Sequence, residues 1–383
     1  MLCLICRSNE WRALPVPNQH QSMATSGVLI SKKLEREQCM VCGLLQKRGG
    51  DFLGHGRFYE EQYAEYYERP GSQTYDAGRY NAMADWMKAA LGDEFTPSNV
   101  LDIGCGAGWQ MKACQNVYKN ASMEGVEPSD INAERARSAG FNIYSMRFGG
   151  GRNLSKKYDL IYANNVLQHV IDPLSFLKDI ADHLSPGGRV AMVMPDASKP
   201  SNEMLWYDHN YSFRPSDLYV LSKAAGLHLH VWQPNPEDKN LLNKQLIVLT
   251  NEASASDVTF SNSYSVKDLF ERRAAYFGKW QELDNVLLQR ISKYNRVFNF
   301  GASMWSLLLA GYCSEYWNRV DSCLVDSEHG KCLNKTVIPT SEPTFTTGDC
   351  IVLGLNPENQ AAFSERLASR ATVIIKWSDQ INS

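Results

Sequence analysis

Val100-Leu101-Asp102-Ile103-Gly104-Cys105-Gly106-Ala107-Gly108 reads as an apolar strand that runs straight into a glycine-rich turn. The three glycines can adopt positive φ and let the backbone approach a ligand with no Cβ in the way. A helix predicted over residues 108–119 would then offer free N–H groups to a carboxylate. The pattern is GxGxG after an acid, and not the GxGxxG of nucleotide coenzymes, so Asp102 favours a ligand that carries an ammonium group.

Strands alternate with helices outward from this turn, through residues 99–255. Helices are predicted around residues 108–119, 130–139, 172–184 and 215–225. Seven apolar segments predict strands: Val100–Ile103, Met123–Val126, Asn142–Tyr144, Tyr158–Ala163, Arg189–Met194, His228–Trp232 and Gln245–Leu249. This alternation predicts a Rossmann-like α/β domain with a mostly parallel sheet, and the last two strands are close enough in sequence to form an antiparallel edge hairpin.

An acid, Glu127, ends the second predicted strand about 20 residues beyond the glycine turn, where a carboxylate can accept hydrogen bonds from ribose hydroxyls. With this acid and the later blocks Tyr158–Ile161, Asn165–Val170 and Leu184–Gly188, the sequence resembles class I S-adenosylmethionine-dependent methyltransferases. The resemblance implies S-adenosylmethionine as cofactor, with the glycine turn at its methionine end, Glu127 at its ribose and Asn164 beside its sulfonium. The full set of cofactor-binding residues that it implies is Asp102, Gly104, Cys105, Gly106, Gly108, Glu127, Pro128 and Asn164. The acid that usually follows the third strand is missing, so no adenine contact is predicted.

Two CxxC pairs near the start of the chain predict a metal site. Their cysteines are Cys3, Cys6, Cys39 and Cys42. Two such knuckles complete a tetrahedral shell of four thiolates around zinc, and a filled shell leaves no position for water, so the predicted role of the Zn²⁺ ion is structural. The alternative is four buried or free cysteines without a metal.

The chain divides into four predicted parts. Residues 1–50 form a small zinc-binding segment, 51–98 a helical lead-in with a helix around Ala77–Leu91, and 99–255 the methyltransferase domain. Residues 256–383 are predicted to form a smaller α/β domain that helps to bind the acceptor. In that domain Ser261–Ser263 precede a long helix with one apolar face. Strands and helix then follow at Val297–Phe300, 303–312, Arg319–Val325 and Cys350–Leu353.

The block Trp206-Tyr207-Asp208-His209-Asn210-Tyr211-Ser212 follows the fifth strand, where loops line the ligand crevice of such a sheet. A His beside an Asp suits a general base that removes a proton next to a carbonyl, whereas the plainer alternative is a packing cluster. His169 is expected to pack or cap a helix rather than to react.

The order of these parts is similar to the sugar C-methyltransferases of deoxysugar biosynthesis. Their Tyr-x-Glu-His-x-x-Tyr block corresponds to residues 206–212, which differ at Trp206, Asp208 and Ser212. In their C-terminal domain the matching segments are Phe300–Ser303, Val325–Lys331 and Gly348–Leu353, with departures at Met304-Trp305 and Leu355. The resemblance implies that His209, oriented by Asp208 and with Tyr207 beside it, generates an enolate in a nucleotide-linked keto-sugar or related metabolite.

Two other functions are compatible with the sequence. One is an O- or N-methyltransferase acting on another small molecule, because the same core serves many acceptors. The other is a non-catalytic S-adenosylmethionine-binding or scaffold protein, against which the intact Asp102 and Glu127 argue.

Charge and hydropathy limit the partners. The net charge is −3 from 39 basic and 42 acidic residues, without a long basic run, so nucleic acid is not an expected partner. The longest apolar run, Met304–Ala310, is far shorter than the ~20 residues that span a bilayer, so no membrane insertion is expected. The start of the chain does not read as a secretory signal, and a cytoplasmic protein with a small-molecule acceptor is predicted. The sequence does not indicate the oligomeric state.

Overall fold

The computed structural model describes residues 2–17, 20–48, 58–61, 72–149, 154–234, 243–253, 260, 264–369 and 373–380. Ser261–Ser263, and residues 62–71 of the predicted lead-in, lie outside these ranges.

The described residues of the N-terminal segment form short strands joined by turns. They are β1 (Trp11–Ala13), β2 (Ser22–Met23), β3 (Leu29–Ile30), β4 (Arg36–Cys39) and β5 (Leu45–Lys47). β2 and β3 pair with each other, and β1, β4 and β5 form an antiparallel sheet. A fourth strand of that sheet, Tyr211–Ser212, comes from the central domain and pairs with β5. The segment is therefore built into the rest of the protein.

Two helices, α1 (Phe58–Glu61) and α2 (Ser72–Leu91), lead into the central domain. The helix predicted around Ala77–Leu91 is confirmed. Its Met83, Met87 and Leu91 are buried against one face of the central sheet.

The described residues of the central domain form eight strands and four α-helices. Its strands are β6 (Asn99–Ile103), β7 (Ser122–Glu127), β8 (Asn142–Ser145), β9 (Tyr158–Tyr162), β10 (Leu184–Pro195), β11 (Tyr211–Ser212), β12 (His228–Gln233) and β13 (Lys244–Thr250). Its helices are α3 (Trp109–Val117), α4 (Asp130–Ser138), α5 (Pro173–Asp182) and α6 (Pro215–Ala224). α5 begins where the sequence predicts, because Asp172 caps it through the Ser175 N–H (3.0 Å) and Pro173 fixes its first φ.

Seven of these strands form one sheet in the order β12-β13-β10-β9-β6-β7-β8. β13 runs opposite to the other six strands and pairs antiparallel with β10 and with β12. The seven predicted strands and the antiparallel hairpin are thus confirmed, with β12 as the outermost strand. The strand order reverses at β6, so the loops after β6 and β9 meet at the position where such sheets bind ligands.

The C-terminal part begins with the long helix α7 (Val266–Ile291), which Ser265 caps through the Asp268 N–H (3.1 Å). The other helices are α8 (Met304–Tyr312), α9 (Ser314–Arg319) and α10 (Gln360–Leu367). The strands are β14 (Arg296–Phe300), β15 (Val320–Val325), β16 (Gly330–Cys332), β17 (Lys335–Pro339), β18 (Asp349–Leu353) and β19 (Ile374–Ile375). They form a six-stranded sheet in the order β16-β17-β15-β14-β18-β19, in which only β16 is antiparallel.

The predicted strand at Arg319–Val325 needs a correction, because Arg319 ends α9 and the strand begins at Val320. The sequence did not predict β16, β17 and β19, which have only two to five residues each. β16 and β19 are the two edge strands of the sheet, and β17 lies between β16 and β15.

One hydrophobic core joins the N-terminal segment to α7, α8 and the C-terminal sheet. It contains Met23, Leu34 and Leu45 together with Trp280 and Leu308, all fully buried. The residues 204–207 of the central domain belong to the same core. The N-terminal segment is therefore held between the central domain and the C-terminal part.

Candidate active site and metal centre

The glycine turn after β6 has the backbone that the sequence predicts. Gly104, Gly106 and Gly108 have φ of 74°, 53° and 82°, values that side chains strain to adopt. A Cβ on Gly104 would lie 2.7 Å from Val166 Cγ2, so the loop after β9 packs directly on the turn.

Glu127 ends β7 beside this turn. Its carboxylate accepts hydrogen bonds from the Gly106 N–H and the Ser129 N–H, each at 2.8 Å. Burial raises the pKa of Glu127 to about 7, although both backbone donors favour the charged form. Each oxygen keeps a lone pair that a ligand hydroxyl can use.

Asp102 lies two residues before the turn and is 3% exposed. Burial raises the pKa of Asp102 well above the usual range, although the neighbouring Tyr162 hydroxyl favours the charged form, and among the described residues Oδ2 has no partner in good hydrogen-bond geometry. A buried carboxylate oxygen without a donor is costly unless a ligand satisfies it. The turn, Glu127 and Asp102 together fit a ligand that carries hydroxyl and cationic groups.

Three other residues of the predicted cofactor set are placed differently. The Cys105 side chain lies in the core, where a Cβ on Gly125 would come within 2.7 Å of its Sγ, so only its backbone borders the turn. Asn164 uses its side chain to accept from the Val193 N–H (2.9 Å) and to donate to Met87 Sδ (3.5 Å). Pro128 follows Glu127 and is half-buried.

The block 206–212 lies, like the glycine turn, at the carboxyl ends of the parallel strands. His209 is 3% exposed, and its ring meets the ring of His169 edge to face at 4.8 Å. His169 follows Val166 by one 3₁₀ turn, Leu167–His169. Because Val166 packs on Gly104, the two imidazoles are close to the predicted cofactor site.

His209 is neutral in this setting. Burial, followed by the charge of the neighbouring His169, lowers its pKa well below the usual range for histidine. A neutral imidazole has a nitrogen lone pair that can accept a proton.

The carboxylate that contacts His209 is Glu203, whose Oε2 lies 3.5 Å from His209 Nδ1. Asp208, which was predicted to orient His209, contacts Thr25 and His169 instead. Its Oδ1 accepts from the Thr25 N–H at 2.8 Å, its Oδ2 accepts from the Thr25 hydroxyl, and the same Oδ2 is 3.5 Å from His169 Nδ1. The expected pairing is therefore replaced by Asp208 with Thr25 and His169.

His169 takes part in a polar cluster with α1. Its Nδ1 lies 2.9 Å from the Asp208 carbonyl oxygen and 2.9 Å from the Tyr59 hydroxyl. Since a carbonyl only accepts, Nδ1 of His169 donates to it. The sequence did not indicate Tyr59 or Glu203 as site residues. Tyr59 is 110 positions from His169, and Glu203 is six positions from His209, and neither pair belongs to a recognisable sequence motif.

The backbone of the block is fixed by the buried guanidinium of Arg36. It donates to the carbonyl oxygens of Met204 (3.1 Å), Trp206 (2.5 Å) and His209. Burial lowers the pKa of Arg36 to about 10, which leaves it charged at neutral pH.

Tyr207 points away from the imidazoles into the N-terminal segment. Its N–H donates to the Met23 carbonyl oxygen at 2.8 Å, and the Lys47 ammonium lies 3.6 Å from its ring centroid. Tyr207 is buried, and these contacts tie it to the N-terminal segment.

The four N-terminal cysteines come together as predicted. Their Sγ atoms lie within 4.8 Å of one another, with Cys3–Cys42 and Cys6–Cys39 each at 3.5 Å. Four thiolates around zinc at about 2.3 Å are separated by about 3.8 Å, so the cluster fits that ion.

The two knuckles share one backbone geometry. The N–H four residues after the first cysteine donates back to its carbonyl oxygen, from Arg7 to Cys3 (3.0 Å) and from Gly43 to Cys39 (2.8 Å). Arg7 and Gly43 both have positive φ, 62° and 83°. The two turns thus bring the four Sγ atoms together in one cluster.

The second knuckle is tied to the central domain and to α7. Arg214 of the central domain donates to the Cys42 carbonyl oxygen. Arg273 of α7 donates to the carbonyl oxygens of Gly43 (2.8 Å) and Ala197 (3.0 Å). The four-cysteine cluster is thus connected to the central domain and to the C-terminal part.

In the described part of the chain, no helix is both long and apolar enough to cross a bilayer.

Residues 75–230 match the family described as a methyltransferase domain. These residues contain the glycine turn, Glu127, Asp102 and the block 206–212.

Curated relatives match the same region. The chain is 26% identical over 162 residues to the ubiquinone biosynthesis O-methyltransferase of Aeromonas salmonicida, covering 37% of this chain and 68% of that protein. It is 30% identical over 130 residues to the trans-aconitate 2-methyltransferase of Deinococcus radiodurans, covering 32% and 50%. The chain thus spans about half to two thirds of these relatives.

Among solved structures, the CcbJ methyltransferase from Streptomyces caelestis is similar with a TM-score of 0.40 and 16% identity. The similarity covers 51% of this chain and 98% of that one.

Proposed function

We propose that this chain is a class I S-adenosylmethionine-dependent methyltransferase, as the match of residues 75–230 supports, and that it methylates a carbon next to a ketone. The proposed acceptor is a nucleotide-linked keto-sugar or a related metabolite, bound between the central domain and the C-terminal α/β part. The relatives match only the central region, so the acceptor is argued from the residues outside the glycine turn.

The observation that supports the proposal best is the buried, neutral His209 near the glycine turn. Removing a proton from carbon requires a base with a free lone pair, held out of water and close to the acceptor. O-methylation of an acidic hydroxyl or a carboxylate does not need such a base.

S-adenosylmethionine supplies an electrophilic methyl group when it is bound. In this proposal the free N–H groups in the first turn of α3 hold its carboxylate, Glu127 holds the ribose hydroxyls, and Asp102 compensates the positive charge. His209 takes the proton from the acceptor carbon, and the backbone contacts of Arg36 keep His209 in place.

Zinc is proposed as the resident of the four-cysteine site, with a structural role. All four ligand positions are filled by Cys3, Cys6, Cys39 and Cys42, so the metal does not take part in the chemistry.

O-methylation is the second candidate, because the curated relatives named above include an O-methyltransferase. The two candidates differ in one measurable event, which is loss of a carbon-bound hydrogen from the acceptor. Carbon methylation requires that loss, and O-methylation leaves the carbon hydrogens in place.

The test is methyl transfer to a panel of nucleotide-linked keto-sugars, carboxylates and phenols, followed by exchange of the acceptor C–H in D₂O. His209→Gln should lower turnover at least 100-fold and abolish exchange, while S-adenosylmethionine affinity by calorimetry stays unchanged. His230→Gln, a change at an exposed histidine on β12, is the matched control and should leave both unchanged. A methylated oxygen without exchange, or full activity of His209→Gln, would overturn the carbon-methylation proposal.

A further inference from the structure

A chain of polar side chains connects the loop after β9 to His209. Lys244 Nζ lies 2.9 Å from Asn165 Oδ1 and 3.3 Å from Glu203 Oε1, and Glu203 Oε2 lies 3.5 Å from His209 Nδ1. The Lys244–Glu203–His209 contacts form a line with the carboxylate in the middle. We call these three residues the Glu203 relay.

The relay is assembled from three separate places at one edge of the sheet. Lys244 is the first residue of β13, which runs antiparallel to β10 and therefore starts where β10 ends, opposite Pro195. Glu203 lies in the 3₁₀ turn Asn202–Leu205, and His209 lies in the block 206–212. All three thus sit at the carboxyl ends of the parallel strands, on the side that holds the glycine turn.

Burial makes these contacts directional. The side chains of His209, Glu203 and Lys244 are 4%, 13% and 14% exposed. At this depth water competes little for the carboxylate, so its two oxygens are fixed by their partners. Lys244, a cation, can only donate to Oε1, which leaves Oε2 to face His209.

The carboxylate of Glu203, 3.5 Å from Nδ1, favours one tautomer of the imidazole. A carboxylate oxygen beside Nδ1 favours a hydrogen on Nδ1, and a neutral ring then has its lone pair on Nε2. Lys244 balances the charge of Glu203, so the carboxylate can orient the ring without drawing a second proton onto it.

The Asp208 carboxylate faces Thr25 and His169, whereas the carboxylate beside the His209 ring is that of Glu203. We propose that Glu203 is the positioning carboxylate for His209 and that Lys244 holds Glu203 in its orientation. The inference rests on the proposed function, in which His209 is the base. Glu203 and Lys244 act through His209 and need not touch the acceptor.

Glu203→Gln tests the proposal with almost no change of shape. Lys244 would bind the carbonyl oxygen of the introduced amide, so its NH₂ group would face His209. Nδ1 would then have to accept, and the base nitrogen Nε2 would carry the hydrogen. We expect a loss of about 100-fold in kcat and in C–H exchange, with S-adenosylmethionine affinity and thermal midpoint close to wild type. Glu134→Gln, at an exposed position on α4, is the matched control and should leave all four quantities unchanged.

Two further readouts separate positioning from a merely structural role. In a His209→Gln background, Glu203→Gln should cause no additional loss, because both act on one step. Nitrogen-15 NMR of histidine-labelled protein should show the Nδ1–H form of His209 in the wild type and the Nε2–H form in Glu203→Gln. The pH profile is set by the groups around His209, which are His169, Asp208, Arg36, Glu203 and Lys244.

The outcomes distinguish this inference from the proposed function. If His209→Gln is inactive while Glu203→Gln is fully active with an unchanged tautomer, the proposed role of Glu203 and Lys244 is overturned, and His209 remains the proposed base. If His209→Gln is fully active, the proposed base is wrong and the relay with it. If Glu203→Gln lowers the thermal midpoint and its loss adds to that of His209→Gln, Glu203 is a structural residue and the inference is overturned.

Discussion

Gly104 shows at the scale of one residue why the sequence pattern is so specific. The position requires positive φ, and it also requires the absence of a side chain, because Val166 occupies the space a Cβ would need at 2.7 Å. Gly104→Ala should therefore lower the affinity for S-adenosylmethionine at least 10-fold by moving the loop after β9. Titration calorimetry measures this directly.

Gly140→Ala is the control that separates the effect of backbone strain from the effect of a steric clash of the added Cβ. Gly140 also has positive φ, 95°, but nothing lies within 4 Å of an added Cβ. Both substitutions should cost about 1–2 kcal/mol of stability from the backbone, and only Gly104→Ala should affect ligand affinity. Equal affinity losses in the two variants would contradict the explanation.

Glu127 gives a prediction about pH. Burial raises its pKa to about 7, so the carboxylate is protonated as the pH falls below that value and loses acceptor capacity for ribose hydroxyls. S-adenosylmethionine affinity should be constant above pH 8 and should weaken by up to about 10-fold per pH unit below pH 7. In Glu127→Gln, which cannot titrate, the affinity should be lower and independent of pH over this range. A wild-type affinity that is flat from pH 8 to pH 5.5 would refute it.

The block 206–212 is an element whose conformation depends on a residue far away in sequence. It has one short strand, β11, and the guanidinium of Arg36 satisfies three of the carbonyl groups in and before the block. Arg36→Met should lower the free energy of unfolding by about 3 kcal/mol or more, because buried carbonyl groups lose a charged donor. Urea denaturation followed by fluorescence measures the change.

Lys33→Met is the control for that experiment. Lys33 forms an ion pair with Glu35 at 3.2 Å in which the two side chains are 47% and 38% exposed, so its removal should change stability by less than about 1 kcal/mol. If Arg36→Met is as stable as Lys33→Met, the block does not depend on Arg36.

Elements with a strong local pattern were predicted well. The strands of the central sheet alternate with amphipathic helices, and α5 and α7 carry their own capping residues, Asp172 and Ser265. The elements that were missed, such as β16 and β19, are too short to have a period of their own and exist because a neighbouring strand offers hydrogen bonds.

At the scale of the whole molecule, the four-cysteine site connects parts that are far apart in the chain. Arg214 and Arg273 bind the backbone of its second knuckle, and β4 leads from Arg36 directly to Cys39. The metal proposed there should therefore stabilise the block 206–212 as well as the knuckles. One zinc ion per chain is expected by elemental analysis.

Removal of that metal should have a local signature. Cys39→Ser should abolish zinc content and increase amide hydrogen exchange in residues 36–47 and 206–212, while exchange in β6 and β7 stays near wild type. Cys350→Ser, at a buried thiol in the C-terminal sheet, should keep its zinc. Full zinc content in Cys39→Ser, or exchange increases confined to the knuckles, would contradict this prediction.

The sequence by itself determined the central α/β fold, the glycine turn, Glu127 and the two cysteine knuckles, because each depends on residues close together in the chain. Backbone preference, capping and the CxxC spacing act over a few residues, and a pattern records them. Only the tertiary structure decided which carboxylate faces His209, because the packing of separate elements places Glu203 beside His209 and Thr25 beside Asp208. The physical reason is that burial makes a hydrogen bond selective, and burial is a property of the assembled molecule.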